Sequence, residues 1–375
     1  MTKMEVKYVD FPAQFEESKH ETLQAVQRVF ERGDFILGQD VEAFEAEFAK
    51  VSNTKYAVSV ANGTDSLILA MRVLGIGPGD EVITASNSWI SSASAIGLIG
   101  ATPVFADVQD DQNISPERIE KAITPRTRAI MPVHLTGKCA DMPKILEVAK
   151  RHRIPVIEDA AQAVMAKIGG FTAGSAGLVG SFSLHPLKNL NAAGDAGILT
   201  TNDEHMYQEL KLWRHHGLKN REEVVHWGYN SRLDSIQAAV LRTRLPKLPA
   251  IIEKRRANAA LYTERLKGIV QTPTEGPDEY HTFHVYVIQC ERRNDLLKYL
   301  LDRGIETKIH YPIPIHLQKA AEYLGYAPGG PKAGLLPNTD RQSSRILSLP
   351  INQYIRKDQI DWVCQSIREF YGKKI

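Results

Sequence analysis

The sequence predicts an α/β protein in which a large domain with a mostly parallel central sheet precedes a small C-terminal α+β domain. Three observations predict it. Short apolar runs alternate with longer helix-period patterns from Tyr56 to Asp159. Those runs are apolar at successive positions, as strands covered on both faces must be. After Arg244 the texture changes, with Pro246 and Pro249 interrupting a helical stretch that resumes through Arg255 to Leu266.

The elements follow in order. Tyr56-Ala-Val-Ser-Val-Ala reads as a strand and Ser66-Leu-Ile-Leu-Ala-Met-Arg-Val-Leu as the helix after it. Asp80-Glu-Val-Ile-Thr and the helix pattern from Ser91 repeat the pair. Thr102-Pro-Val-Phe-Ala-Asp, Arg128-Ala-Ile-Met-Pro-Val-His, a helix over Met142 to Arg153 and Pro155-Val-Ile-Glu-Asp continue it. The hinge puts the large domain, N-terminal segment included, at 1–245 and the small one at 246–375. In the latter, Thr282 to Cys290 alternates as a half-buried strand, Asp295 to Arg303 reads as a helix, and Glu306 to Tyr311 is a candidate second strand. Gly325 to Asp340, rich in Gly and Pro, reads as an irregular surface loop with room to move, and a closing helix runs from Lys357 to Tyr371.

Composition narrows the function classes. Of 375 residues, 43% are hydrophobic and 24% charged, the pattern of a soluble globular chain. A net charge of +2, spread along the chain, implies neither nucleic acid nor an anionic membrane as partner. The first ten residues lack a signal-peptide core, and no apolar run approaches the roughly 18 residues of a spanning helix, so a cytoplasmic protein is expected. Cys139, Cys290 and Cys364 stand apart from one another and from histidines, which indicates neither disulfides nor a metal site.

The chemistry centres on Lys188, on a turn between Ser181-Phe-Ser183 and the strand Ile198-Leu-Thr-Thr, with Gly194 and Gly197 behind it. A lysine shielded there loses its proton readily, and the neutral amine is the form that makes a Schiff base. Asp159 ends an earlier apolar run, and a carboxylate at a strand end suits the ring nitrogen of pyridoxal phosphate. Gln162, three residues on, can hydrogen-bond the ring's phenolic oxygen. Asn62-Gly-Thr-Asp-Ser66 lies where strand gives way to helix, so Gly63 and Thr64 offer a phosphate cup; Thr64 or Asp65 could equally be a simple helix cap. Trp89, beyond the strand Glu81-Val-Ile-Thr, offers an aromatic face for the ring, or is a core tryptophan. Glu158 is expected to face away from the site and form a structural pair.

Taken together the residues resemble the DegT/DnrJ/EryC1/StrS family of sugar aminotransferases. The resemblance covers nearly the whole chain: Gly33-Asp-Phe-Ile-Leu-Gly38, Asn62-Gly-Thr-Asp, Gly75-Ile-Gly-Pro-Gly-Asp-Glu-Val-Ile, Pro132-Val-His-Leu-Thr-Gly, Glu158-Asp-Ala-Ala-Gln-Ala, the lysine segment, Arg214-His-His-Gly, Gly228-Tyr-Asn-Ser-Arg-Leu-Asp and His310-Tyr-Pro-Ile-Pro-Ile-His. It implies the aspartate-aminotransferase-like fold (fold type I) with pyridoxal 5′-phosphate as cofactor, anchored on Lys188. Asp159 would meet the pyridine nitrogen, Gln162 the phenolic oxygen, Trp89 the ring face, and Gly63, Thr64 and Ser183 the phosphate. Asn230 would reach the same phosphate from the neighbouring subunit of a homodimer with shared active sites.

By the same resemblance the amino donor is glutamate or glutamine and the acceptor a keto or aldehyde sugar, in amino-sugar biosynthesis for a cell-surface glycan or a secondary metabolite. His185, His310, Tyr311 and His316 would line or flank the substrate opening. One departure bears on the acceptor: Leu184-His-Pro-Leu-Lys-Asn-Leu-Asn is similar to members acting on keto-inositols and other sugars without a nucleotide. Two alternatives share the fold. A sugar dehydratase using pyridoxamine phosphate would carry histidine in place of Lys188, and a non-enzymatic cofactor-binding regulator would have lost part of the constellation.

Overall fold

The computed structural model describes residues 4–372. Seven strands form the central sheet: β1 (Tyr56–Val60), β2 (Glu81–Ala85), β3 (Thr102–Ala106), β4 (Thr127–Met131), β5 (Ile157–Asp159), β6 (Val179–Ser183) and β7 (Gly197–Thr201). They run in the order β1-β7-β6-β5 and β4-β2-β3, and the bridges Ile130–Val156 and Val133–Asp159 join β4 to β5. Every neighbouring pair is parallel except those made by β7, which is antiparallel to both β1 and β6.

Successive strand residues enter different apolar layers. Ile83, Ile130, Phe182 and Ile198 pack on one side, while Val82, Ala129, Val179 and Leu199 pack on the other. This is why the runs are continuously apolar: each face needs its own core. The crossovers supply the cover, through helices α1 (Phe11–Arg32), α2 (Gln39–Val51), α3 (Gly63–Val73), α4 (Ser91–Leu98), α5 (Pro116–Ala122), α6 (Met142–His152) and α7 (Glu204–Trp213). Their starts are written locally: Asp10, Asn62, Ser115, Asp141 and Asp203 each accept an amide of the first turn.

Helix α8 (Ser235–Arg244) gives way at Pro246 to a short 3₁₀ turn, and α9 (Leu248–Leu266) continues from it. Leu248 and Ile252 of α9 pack in the first layer, whereas Ala259, Tyr262 and Leu266 pack in a third cluster. That cluster also holds residues of β8 (Tyr286–Gln289), α10 (Arg293–Asp302), β9 (Ile346–Leu349) and α12 (Lys357–Phe370), together with Val6 from the start of the chain. Val6 is bridged to Ile305.

Three expectations change here. The strand after Phe283 is β8, buried at all four positions, because Val287 meets a small layer with Val285 and Ile346 while Tyr286 and Ile288 face the third cluster. Its partner is β9, antiparallel, and Glu306 to Tyr311 contributes only the bridge Lys308–Ser348. The segment from Gly325 is not surface throughout: Tyr326 and Leu336 are buried with Phe105 and its end forms α11 (Pro337–Ser343), while Pro328 to Leu335 is irregular and largely exposed. The buried Asp107 carboxylate accepts the amides of Asn338 and Thr339, both at 3.0 Å, so the cap for α11 comes from more than two hundred residues away. Among the described residues no helix is long and apolar enough to cross a membrane.

Candidate active site

A cavity of about 1150 Å³ opens where β1, β5 and β6 end and the β8 region faces them. Parallel sheets gather ligands at their carboxyl ends, because the strands stop there and helices begin with unpaired amides. Gly63, Thr64, Trp89, Asp159, Gln162, Ser183, His185, Lys188, His310 and Tyr311 all contribute to its wall. Asn230 and His316 do not.

Alternation along β5 separates its two acids. Glu158 is fully buried on one side, where it accepts the amides of Gly174, Ala176 and Gly177 at 2.7–2.9 Å and meets His134 Nε2 at 2.8 Å. His134 Nδ1 accepts the Ala140 amide, so Nε2 holds the proton given to Glu158. Asp159 points the other way, 4% exposed, at the cavity. Its Oδ2 accepts the Ser92 hydroxyl at 2.7 Å and its Oδ1 the Ala161 amide at 3.2 Å. Burial raises its pKa above the ordinary carboxylate value, opposed by Ser92, the Ala161 amide and the charge of Lys188.

Lys188 is half-buried on the turn after β6, its amide donating to the His185 carbonyl at 2.8 Å. Desolvation brings its amine down to about 8, with Asp159 pulling the other way. Amine and carboxylate thus share one cavity, where burial lowers the pKa of the first and raises that of the second.

The start of α3 forms a cradle. Asn62 accepts the Asp65 amide on its side chain at 2.9 Å and the Ser66 amide on its carbonyl, so the capping role falls to Asn62, and the amides of Gly63 and Thr64 take no partner among the described residues. A methyl group on Gly63 would come within 2.8 Å of Ser183 Cβ, so only glycine lets helix and strand end approach this closely. Thr64 Oγ1 meets Ser91 Oγ at 2.8 Å and ties this helix start to that of α4. Free amides, a hydroxyl and a positive dipole end suit a phosphate group. An anion cradle, a ring-sized gap and an acid opposite a nucleophilic amine fit the phosphate, pyridine nitrogen and aldehyde of pyridoxal phosphate.

Trp89, 57% exposed, edges this gap with its ring centroid 5.7 Å from that of Tyr311. Gln162 is gripped at both ends: Oε1 accepts the Thr136 amide at 2.8 Å and Nε2 donates to Tyr311 Oη at 2.9 Å. Both partners have left-handed backbone, Thr136 at φ 64° and Tyr311 at φ 66°, a conformation that side-chain-bearing residues adopt at a cost. His310 Nδ1 lies 2.7 Å from Ser348 Oγ, and burial lowers its pKa to about 4. His185 is exposed, its Nδ1 accepting the Leu187 amide within its own turn.

His316 is 2% exposed and lies behind the wall instead of lining it, bonded to Ser86 Oγ at 2.6 Å and to Asp340 at 3.0 Å. It locks the α11 region onto the end of β2. Asn230 is exposed outside the cavity, in a bridge with His215. Sequence reasoning passed over Ser92, although the serine-rich run from Ser86 to Ser94 pointed to it, and over Tyr8, His284 and Arg255, for which no local signal exists. Among the described residues no cluster of His, Cys, Asp or Glu could hold a metal ion.

Comparison with known proteins adds a second line. The sequence profile described as the DegT/DnrJ/EryC1/StrS aminotransferase family matches residues 16–368. A protein of Streptomyces venezuelae named dTDP-3-amino-3,4,6-trideoxy-alpha-D-glucose transaminase is 42% identical over 368 residues, spanning 97% of this chain and 96% of its own. A Geobacillus stearothermophilus protein named pleiotropic regulatory protein is 40% identical over 373 residues, 98% of this chain and 99% of its own. Among solved structures, S. venezuelae DesV in complex with a ketimine intermediate superposes with a TM-score of 0.94 at 41% identity, covering 99% of this chain and 100% of that one.

Proposed function

This chain belongs to the DegT/DnrJ/EryC1/StrS aminotransferase family and is a pyridoxal-phosphate-dependent sugar aminotransferase; from that premise we propose how its own residues divide the work. The observation that carries the assignment is the pairing of Lys188 and Asp159 across one cavity, beside the Gly63 cradle.

When bound, pyridoxal phosphate supplies an electron sink for the pair released as the donor's α-proton leaves. Lys188 Nζ, its pKa lowered to about 8 by desolvation, would be the covalent anchor and, once free, would stand ready to take the donor's α-proton and give it back. The Asp159 carboxylate would keep a proton on the ring nitrogen, and the Ser92 hydroxyl favours its charged form. Gln162, fixed by Thr136 and Tyr311, would have its second amide hydrogen free for the phenolic oxygen. Gly63, Thr64 and Ser183, all on the cavity wall, would hold the phosphate, and Trp89 would lie against the ring.

The protein we envisage is a cytoplasmic homodimer in which Asn230 enters the partner's cavity. Its exposure, and its absence from the cavity of its own chain, support that. The buried, unpaired Cys139, Cys290 and Cys364 are in keeping with a reducing compartment. We place the division of the chain at 245/246, with Val6 packing on the later part.

Glutamate or glutamine gives the amine, and a nucleotide-linked keto sugar receives it, supported by the name of the S. venezuelae relative and by room beyond what the cofactor needs. The His185-Pro-Leu-Lys-Asn-Leu-Asn segment argues for a sugar without a nucleotide, so keto sugars of both kinds are the acceptors to assay. The purified protein should be coloured, lose the colour in Lys188→Ala, and shift its band with glutamate or glutamine. A colourless wild type that binds no cofactor overturns the assignment.

A further inference from the structure

Part of the cavity wall is built from Tyr8, His284 and Arg255, and none of the three is used by the chemistry above. Arg255, on α9, is 8% exposed. Its Nη1 donates to the carbonyls of Phe283 and His284 at 3.1 and 3.3 Å, and its Nη2 reaches Gln353 Oε1 at 3.4 Å. Nε has no partner among the described residues, and no carboxylate faces the group. Burial lowers the guanidinium to about 10, with only the phenols of Tyr8 and Tyr354 opposing the shift. A buried cation without an anion is costly to keep, and proteins pair such groups with a side chain or a ligand.

Two further polar atoms here are buried and unpartnered: Tyr8 Oη and His284 Nδ1. His284 lies in the fields of Lys188 on one hand and Arg255 on the other, which links this wall to the reacting amine. Arg244 lines the same cavity and is likewise bonded to carbonyl and amide oxygens only.

We infer that Arg255 and Tyr8, with His284 beside them, form a subsite for the carboxylate of the amino donor, an α-amino acid. The inference rests on the aminotransferase reading and deepens it. Of the two substrates, the donor is the one that carries an anion on the very carbon that loses its proton, so its carboxylate must lie within a bond or two of the Lys188 amine. A planar group with two oxygens matches one N–H and one hydroxyl.

The test separates the two half-reactions of the holoenzyme. Arg255→Gln and Tyr8→Phe are loaded with cofactor and checked for the wild-type absorbance band. Glutamate is then titrated, and the amine-loaded form is titrated with the keto-sugar acceptor. Calorimetry with α-methylglutamate, which keeps the carboxylate but has no α-proton to lose, reads binding without turnover. Arg255→Gln should raise the half-saturating glutamate concentration and the α-methylglutamate Kd by about 10- to 100-fold, the range for losing a hydrogen bond to a charged group, and Tyr8→Phe by about 3- to 10-fold. Half-saturation by the sugar should move less than about twofold, on the same scale. Equal changes in both half-reactions, or none in either variant, would overturn the subsite while leaving the enzyme an aminotransferase. A wild type that no amino acid converts overturns both.

Discussion

Ser92, in the first turn of α4, places its hydroxyl 2.7 Å from Asp159 Oδ2 at the end of β5, so two crossovers of the sheet meet on one carboxylate. Burial raises the carboxyl's pKa, and this bond is the strongest opposition to it. Ser92→Ala should therefore move the acidic limb of the kcat/KM profile to higher pH and cost more on that limb than on the alkaline side. A rate profile across both limbs checks it; a uniform loss at every pH would point to mispacking instead.

Lys188 titrates at about 8 in the folded protein against 10.5 for an exposed lysine. The unfolded chain then binds the extra proton between those two values, and wild-type stability rises with pH across that window. In the cofactor-free protein, Lys188→Met should be more stable than wild type by up to about 3 kcal/mol below pH 8. The gain should be gone above about pH 10.5, as urea melts of both proteins at pH 7 and pH 10.5 would record.

Gly63→Ala would bring its Cβ within 2.8 Å of Ser183 Cβ and 3.2 Å of Ser183 Cα. Separating helix from strand end should cost about 1–3 kcal/mol in stability and weaken cofactor binding by at least about tenfold. Titration of the cofactor into the stripped variant measures the second effect, and urea melts the first.

Glu158 receives three amides and an imidazole proton in a place that water does not reach. Glu158→Gln puts an NH₂ against N–H donors, and should destabilise by about 2–4 kcal/mol. Any surviving folded fraction should show the wild-type cofactor band, because the side chain stands on the opposite face of β5 from Asp159.

If Asn230 serves the partner's cavity, inactive Lys188→Ala and inactive Asn230→Asp subunits should restore activity when unfolded and refolded together. Random pairing gives about a quarter of the wild-type rate, since half the dimers are mixed and one of their two sites is whole. Zero recovery would place Asn230 and Lys188 of one chain in one site.

Much of the large sheet was legible because each strand is apolar on both faces and several helices begin with their own cap, as at Asn62 and Asp141. Asp159 was legible because a charged residue that closes an apolar run marks a strand end, and Lys188 because it stands on a turn between two strand patterns. What could not be read depends on distant partners. The cap of α11 is Asp107, the strand paired with β8 is β9, and His316 is drawn behind the wall by Ser86 and Asp340. Tyr8 and Arg255, separated by most of the chain, meet only because Val6 joins the third cluster and α9 ends there.

That path of α9 has one more consequence. Its first turns are anchored among residues of the central sheet and its last among those around β8 and β9, with Arg255 between. Melting either body would strip the helix of one of its two anchorages, so heat should dissolve both in a single calorimetric peak. A ligand gripped at Arg255 clamps the middle of that strut and should lift the whole transition at once.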